Sequence, residues 1–200
     1  MAHMPKVTPE YRAQRRAHIM AAARRCFIRN GFHAASMHDL VAEAGMSSGA
    51  VYRYFPSKDA VIEAIAADNL EQVVAVIGRS IDDGASPQAA IAAAIDFVTL
   101  RHGEDGFAAI ALLVWSEALR NPTLAAHLRN AIATAFAKLS AGAHRQDDGR
   151  LDPTALADLL LCVLPGYLMR LALGGPNAVE NIPNAIERVL EVPARSTEPA

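Results

Sequence analysis

Apolar side chains recur at intervals of three and four along nearly the whole chain, and no run of alternating Val, Ile, Thr and Tyr is long enough to form a strand. The pattern predicts an all-α protein of about nine helices. The first helix is expected from about Thr8 to Asn30, with Ile19, Ala23, Cys26 and Phe27 on one stripe and Arg12, Arg15, Arg16 and Arg29 largely off it. Gly31 then supplies a left-handed stop, and Phe32 the hydrophobic contact that commonly accompanies one. In "SMHD", Ser36 can accept from the amide three residues on while Asp39 reaches back, so a capping box opens the second helix. Met37, Leu40, Val41 and Ala44 follow on one face, and Gly45 ends it. Ser47 is expected to cap a short third helix, Ser48 to Phe55, which Pro56 stops, and Ser57 to cap a long fourth, Lys58 to about Ser80. Further helices are placed near Pro87–His102, Asp105–Arg120, Pro122–Ala143, Pro153–Leu173 and Ala178–Glu191, divided by turn chemistry such as "GEDG", "RNP", "HRQDDGRLDP" and "GGPN".

The third helix sorts into edges by the four-residue spacing of a helical face. Val51 and Phe55 form an apolar edge suited to the Leu40 and Val41 face of the second helix; Ser48 with Tyr52, and Gly49 with Arg53, form edges that point away from it. A short helix held by one edge, after a helix and a glycine-containing turn, is the helix-turn-helix arrangement, whose second helix lies in the DNA major groove. The residue types on the free edges suit that position. Arg53 can reach guanine N7 and O6 or a phosphate, Ser48 can bond to base edges, and Gly49 permits close approach of the backbone. Tyr52 can lay its ring on a thymine methyl or give its hydroxyl to a phosphate. Lys58, in the first turn of the fourth helix, is expected to hold a phosphate together with the free backbone amides there. Ser36 and Ser47 are expected to cap first and to touch phosphate second. Taken singly, Tyr52 and Tyr54 could be core aromatics and Lys58 a solvated lysine; the conjunction of cap, turn, short helix and basic edge carries the DNA reading.

Charge sharpens this picture. The 200 residues carry a net charge of −2. Residues 1–58 hold nine Lys/Arg against Glu10, Asp39 and Glu43, a net of +6, and the remainder holds ten against eighteen Asp/Glu, a net of −8. A basic N-terminal quarter on an acidic body points to a polyanion partner for the first part only. With 52% hydrophobic and 20% charged residues the chain can bury a sizeable core. The longest uncharged apolar run, Leu159 to Met169, is broken by Pro165 and Gly166 and is too short to cross a bilayer. No apolar stretch follows the basic N-terminus as a secretory signal requires, and Cys26 and Cys162 each sit in an apolar helical pattern, so two buried thiols in a reducing cytoplasm are expected. An enzyme is disfavoured. There is no glycine-rich phosphate loop, HExxH or CxxC, the seven histidines are scattered, and "DDGRLD" lacks the ligands of a calcium loop, so neither cofactor nor metal is expected.

The stretch "NGFHAASMHDLVAEAGMSSGAVYRYFPSKDAVIEAI", with Phe27 before it, resembles the N-terminal domain of the TetR family of bacterial transcriptional regulators over about residues 10–65. Phe27, Gly31, Ser36, Leu40, Ala42, Ala44, Gly45, Ser47, Gly49, Tyr52, Tyr54, Phe55, Lys58 and Val61 match the family pattern; Ser36, Val41 and Met46 stand where threonine, isoleucine and valine are commoner. The resemblance implies that the third helix reads an operator, that Tyr52, Tyr54 and Lys58 touch phosphate or thymine, and that Ser48, Gly49 and Arg53 vary with operator sequence. It also implies a repressor that is released from a pseudo-palindromic operator by a small molecule.

Family resemblance further implies a C-terminal domain that dimerises through its last two long helices and encloses an effector pocket. "LVWSEALRNPTLAAHL" from Leu113 is similar to a helix turn frequent in the family, with Asn121 as cap and Pro122 at the first helical position. Leu159, Leu160, Val163, Leu164, Tyr167, Leu168 and Leu171 cover nearly the whole circumference of their helix, more than one monomer core needs. Leu160, Val163, Leu164, Tyr167 and Leu171, with Ile186 and Val189 on the last helix, are therefore expected at a homodimer interface. For the pocket, Phe97, Leu100, Phe107, Leu112, Trp115, Phe136, Cys162 and Met169 are large, apolar and interior by periodicity, with His102, Glu117 or Arg170 as polar handles to a mainly apolar effector. The expected organisation is an arm or expression remnant at 1–9, a helix-turn-helix domain at 10–57, an effector-binding and dimerisation domain at 58–192 and a flexible tail at 193–200.

Overall fold

The computed structural model describes residues 8–145 and 152–185, and among these it contains eight α-helices, one 3-10 turn and no strand. The chain separates into two compact units at Ala67 and Asp68.

The first unit holds α1 (Pro9–Ala34), α2 (Met37–Ala44), α3 (Ser48–Tyr54) and the start of α4 (Lys58–Asp82). Thr8 caps α1 by accepting from the Tyr11 amide at 3.2 Å. The helix is broken at Gly31, whose φ of 73° matches the expected stop but whose ψ of 168° is extended; one further turn follows before the chain leaves at Ala35. Phe32 is buried there and packs edge-on against Phe27, with ring centroids 4.9 Å apart. The capping box of α2 forms as its sequence requires: the Ser36 hydroxyl accepts from the Asp39 amide at 3.2 Å, and the Asp39 carboxylate accepts from the Ser36 amide at 2.8 Å and from its hydroxyl at 2.7 Å. Gly45 closes α2 in the left-handed region (φ 61°, ψ 29°). His18 donates from Nε2 to the Ala44 carbonyl at 2.8 Å and so ties α1 to the end of α2. Ile19, Phe27, Leu40, Val51, Phe55 and Ile65 are fully buried and form the centre of this unit.

The second unit continues α4 and adds α5 (Pro87–Asp105), α6 (Phe107–Ala118), α7 (Pro122–Arg145), α8 (Pro153–Gly174) and the 3-10 turn Pro176–Ala178. Each boundary has a local cause. Ser86, Asn121 and Asp152 accept from first-turn amides, each just before a proline at the first helical position, and Gly106 joins α5 to α6 in the left-handed region. The expected helix at Ala178–Glu191 is represented by the 3-10 turn and a helical turn from 182; the rest of it lies outside the described residues. Ile77, Ile91, Ile95, Phe107, Leu139 and Leu171 form the centre of the core.

Burial on α8 departs from expectation. Leu164, Tyr167 and Leu171, expected at a dimer interface, turn into the monomer core. Tyr167 is fixed there by hydrogen bonding: Thr99 gives its hydroxyl proton to the Ile95 carbonyl at 2.7 Å, so Tyr167 donates to Thr99 Oγ1 at 2.6 Å. Val163 is half-buried, the Leu160 side chain is outside what is described, and Ile186 and Val189 lie beyond the described residues. The opposite face leaves Leu159, Cys162, Met169 and Leu173 exposed, so Cys162 is not the buried thiol expected, whereas Cys26 is. An apolar helix offers no polar face to orient it, and sequence therefore could not say which arc turned inward. The 18-residue stretch Ala157–Gly174 is by length and composition apolar enough to cross a bilayer, contrary to the shorter run read from sequence, but Ala157, Leu164, Tyr167, Leu168 and Leu171 are occupied in the core.

Leu171→Ala, which opens a cavity in a fully buried site, should lower the free energy of unfolding by about 2–5 kcal/mol, and Ser36→Ala, which removes a cap, by about 1 kcal/mol. Urea unfolding followed by circular dichroism measures both.

Candidate nucleic-acid interface and effector cavity

The first unit contains a groove of about 1060 Å³ between the N-terminal half of α1 and α3 with the turn before it. Its walls carry Tyr11, Arg12, Arg15 and Arg16 from α1, and Met46, Ser47, Gly49, Arg53 and Tyr54 from the turn and α3. The groove has four guanidinium groups and no carboxylate among its lining residues. Two of these arginines are held in place. Arg16 lies over the Phe55 ring at 4.5 Å, and Arg15 donates from Nε to the Tyr11 hydroxyl at 2.9 Å. Arg12 and Arg53 are exposed.

Among the described residues, the other basic side chains of this segment are committed elsewhere. Glu43 accepts from Arg25 at 2.7 Å and Arg29 at 2.5 Å, and Arg24 is buried. Lys58 donates to the carbonyls of Phe32 at 2.7 Å, Ala35 at 2.9 Å and His33 at 3.4 Å. The expectation that its amine is free to hold a phosphate is therefore corrected: the amine's three protons already have acceptors inside the protein. The sequence gives the number of charges; the fold places those at residues 12, 15, 16 and 53 on one groove.

Of the remaining residues expected at DNA, Ser48, Gly49 and Tyr52 are exposed on α3, with Tyr52 47% accessible, while Tyr54 is half-buried in the groove wall. Ser47 occupies the cap position, but its side chain makes no capping bond, contrary to expectation; only its carbonyl serves the helix, accepting from Ala50 and Val51. Ser47 lines the groove. Ser36, by contrast, spends its hydroxyl on Asp39.

The second unit contains a cavity of about 640 Å³ lined by α4, α6, α7 and α8. Leu70, Val73, Val74, Ile77, Leu128, Ile132, Leu161 and Leu164 make it apolar, Trp115 and Phe136 add aromatic faces, and Arg129 and Asp158 are its charged members. Of the residues expected at a pocket, Trp115, Phe136 and Cys162 line it. Phe107 is instead a core residue packed edge-on against Phe97 with centroids 5.9 Å apart, and Leu112 is half-buried away from the lining. Leu100 and Met169, expected inside, are 64% and 49% exposed. Nor do the expected polar handles line the cavity: Glu117 pairs with Arg120 at 3.5 Å, Arg170 donates to the Ala178 carbonyl at 2.6 Å, and His102 is absent from the walls. The α4 contribution, four residues at helical spacing, was missed because that helix presented no large aromatic residue.

A short helix, anchored by one edge after a capped helix and a glycine turn and presenting an arginine groove, defines a helix-turn-helix protein with an all-α second unit. The family model for bacterial regulatory proteins of the tetR family matches residues 19–65. The chain is 41% identical over 76 residues to the HTH-type transcriptional repressor Rv1474c of Mycobacterium tuberculosis, covering 38% of this chain and 41% of that protein. It is 34% identical over 115 residues to the HTH-type transcriptional regulator UidR of Escherichia coli, covering 58% and 57%. These matches thus span roughly half the length of the curated relatives. Over nearly full length, the structure is similar to that of Salmonella enterica GusR, with a TM-score of 0.72, 30% identity and coverage of 92% of this chain and 96% of that one. The chain belongs to the TetR family of bacterial regulatory proteins, a family of transcriptional regulators rather than enzymes.

The Arg25 and Arg29 hydrogen bonds hold the Glu43 carboxyl below its ordinary range, as the Ser36 hydroxyl and amide do for Asp39. A carboxylate depressed on folding stabilises above its unfolded pKa of about 4 and loses that contribution as pH falls through the lower folded value. Glu43→Gln should accordingly be less stable than the parent at neutral pH, with the gap narrowing as pH drops from about 5 to about 3; thermal melts across that range measure it.

Proposed function

We propose that the protein is a ligand-responsive, DNA-binding transcriptional regulator, a repressor that leaves a pseudo-palindromic operator when a small, mainly apolar molecule binds its second unit. The observation that carries this reading is the groove of four arginines beside the exposed edge of α3. Ser48, Tyr52 and Arg53 read base edges from α3, Gly49 lets the backbone come close, and Arg12, Arg15 and Arg16 meet the phosphate backbone. Ser47 and Tyr54 add hydroxyl groups at the groove.

The protein acts as a homodimer in the bacterial cytoplasm. Support comes from α8, where Leu159, Cys162, Gly166, Met169 and Leu173 are exposed at alternating spacings of three and four, the seam of a helix that packs along another helix. Two copies would set two α3 helices about 34–36 Å apart, in successive major grooves. The effector occupies the cavity, whose α4 wall is Leu70, Val73, Val74 and Ile77. The same helix begins at Lys58 in the first unit, so a ligand that prefers one position of α4 changes operator affinity. Release by tens- to thousands-fold requires about 2–4 kcal/mol of differential affinity.

Selection of bound duplexes from a random library tests the reading: a two-fold-related sequence with half-sites one helical turn apart is expected, and recovery of no enriched sequence would overturn it. On the selected duplex, Arg53→Ala should weaken binding by about 1–3 kcal/mol and relax base preference at one position of each half-site. Leu173→Glu should shift the sedimenting species from dimer to monomer.

A further inference from the structure

We propose that Lys58 is a positioning residue, a latch that binds the start of α4 to the corner between α1 and α2 so that α2, α3 and the first turns of α4 move as one body. This inference rests on the DNA-binding reading above. It gives Lys58 a place in regulation different from the phosphate contact that its position in the sequence suggests.

The acceptors for this latch come from the break at Gly31. A helix end leaves backbone carbonyls without partners, and the irregular turn after Gly31 presents those of Phe32, His33 and Ala35 in one direction. A lysine ammonium has three protons on a compact tetrahedral centre and suits three acceptors that converge on one point, whereas a guanidinium spreads its donors over a planar fork. Its charge also suits a helix C-terminus, where the backbone dipole is negative. Ser57, immediately before it, caps α4 by accepting from the Ala60 amide at 3.1 Å, so the lysine projects from an ordered first turn. Ser36, immediately after the bound segment, opens α2 through its capping box. The latch therefore joins two helix starts across a single bonded corner. The covalent link from α3 to α4 is the Phe55–Pro56–Ser57 segment, and Val61, Ile62 and Ile65 pack the following turns into the core; the latch adds a polar tie at the first turn, which fixes the attitude of α4 against the corner.

The two roles for Lys58 differ in what they do to DNA binding. A phosphate contact contributes to affinity for any sequence, and its loss makes the plot of log affinity against log salt shallower by about 0.9. A latch contributes to specific binding, which needs α3 held at a fixed attitude, and leaves the salt slope alone.

The test uses the full chain with Lys58→Met, which keeps the stem but no donor, and Lys58→Arg, which keeps the charge. Binding is measured to the selected duplex and to a mixed-sequence duplex of equal length across a range of salt. The latch requires that Lys58→Met leave the mixed-sequence slope unchanged, that the specific-to-mixed affinity ratio fall roughly tenfold, and that Lys58→Arg fail to restore it. A residue that only added stability would lower the melting temperature and leave that ratio unmoved, and such a result overturns the proposal. So does a shallower slope in Lys58→Met that Lys58→Arg restores. Should Lys58→Met fail to fold, nitrogen-15 spectra of the parent's lysine ammonium groups decide: the latch requires a slowly exchanging Lys58 signal in the free protein that stays in place on adding the mixed-sequence duplex, and a signal that appears or shifts only with DNA contradicts it. If the parent binds neither duplex, the DNA-binding reading fails, while the free-protein spectrum still reports the latch.

Discussion

An isolated helix of seven residues has almost no stability in water, because its nucleus costs more than so few backbone hydrogen bonds return. The α3 helix exists because Val51 and Phe55 are fully buried at one edge, and burying two such side chains offsets that cost. This constraint shapes the rest of the first unit. With one edge committed inward, Ser48, Gly49, Tyr52 and Arg53 have nowhere to point but outward. The ring that anchors the helix also supports Arg16, whose guanidinium lies over the Phe55 face. One aromatic side chain thus fixes the reading helix and orients a cation of the groove beside it.

Around that anchor the unit commits part of its positive charge to contacts within the protein. Glu43 takes two arginines of α1, three carbonyls take Lys58, and Arg12, Arg15, Arg16 and Arg53 line the groove. Surface ion pairs of this kind add little stability, so their main effect is to limit where a polyanion is attracted. A protein that must place one helix in one groove gains from a small, aimed cationic surface more than from a broad one.

Much of the first unit was legible in the sequence because its boundaries are written in local chemistry. The Ser36–Asp39 box, Gly45, Pro56 and Ser57 act over three or four residues, and each formed as its spacing required. Gly31 and Phe32 were equally readable, apart from an extended ψ and one extra turn. Long-range partnerships were not legible. Nothing near Lys58 in sequence reveals carbonyls more than twenty residues away, and nothing in the long apolar stretch of α8 tells that Tyr167 turns to Thr99 while Met169 turns to solvent. The cavity shows the same division: large aromatics such as Trp115 and Phe136 stand out, but its α4 wall is made of ordinary aliphatic residues of the kind every core helix carries.

The central claim is that α3 and the N-terminal half of α1 form one surface for DNA. Amide hydrogen exchange of the full chain, with and without the selected duplex, tests it most directly because it reports each segment separately. The account requires slowed exchange at residues 11–16 and 46–53, with the exposed face of α8 unchanged. Protection confined to the second unit, or equal exchange in both samples at α3, would contradict it.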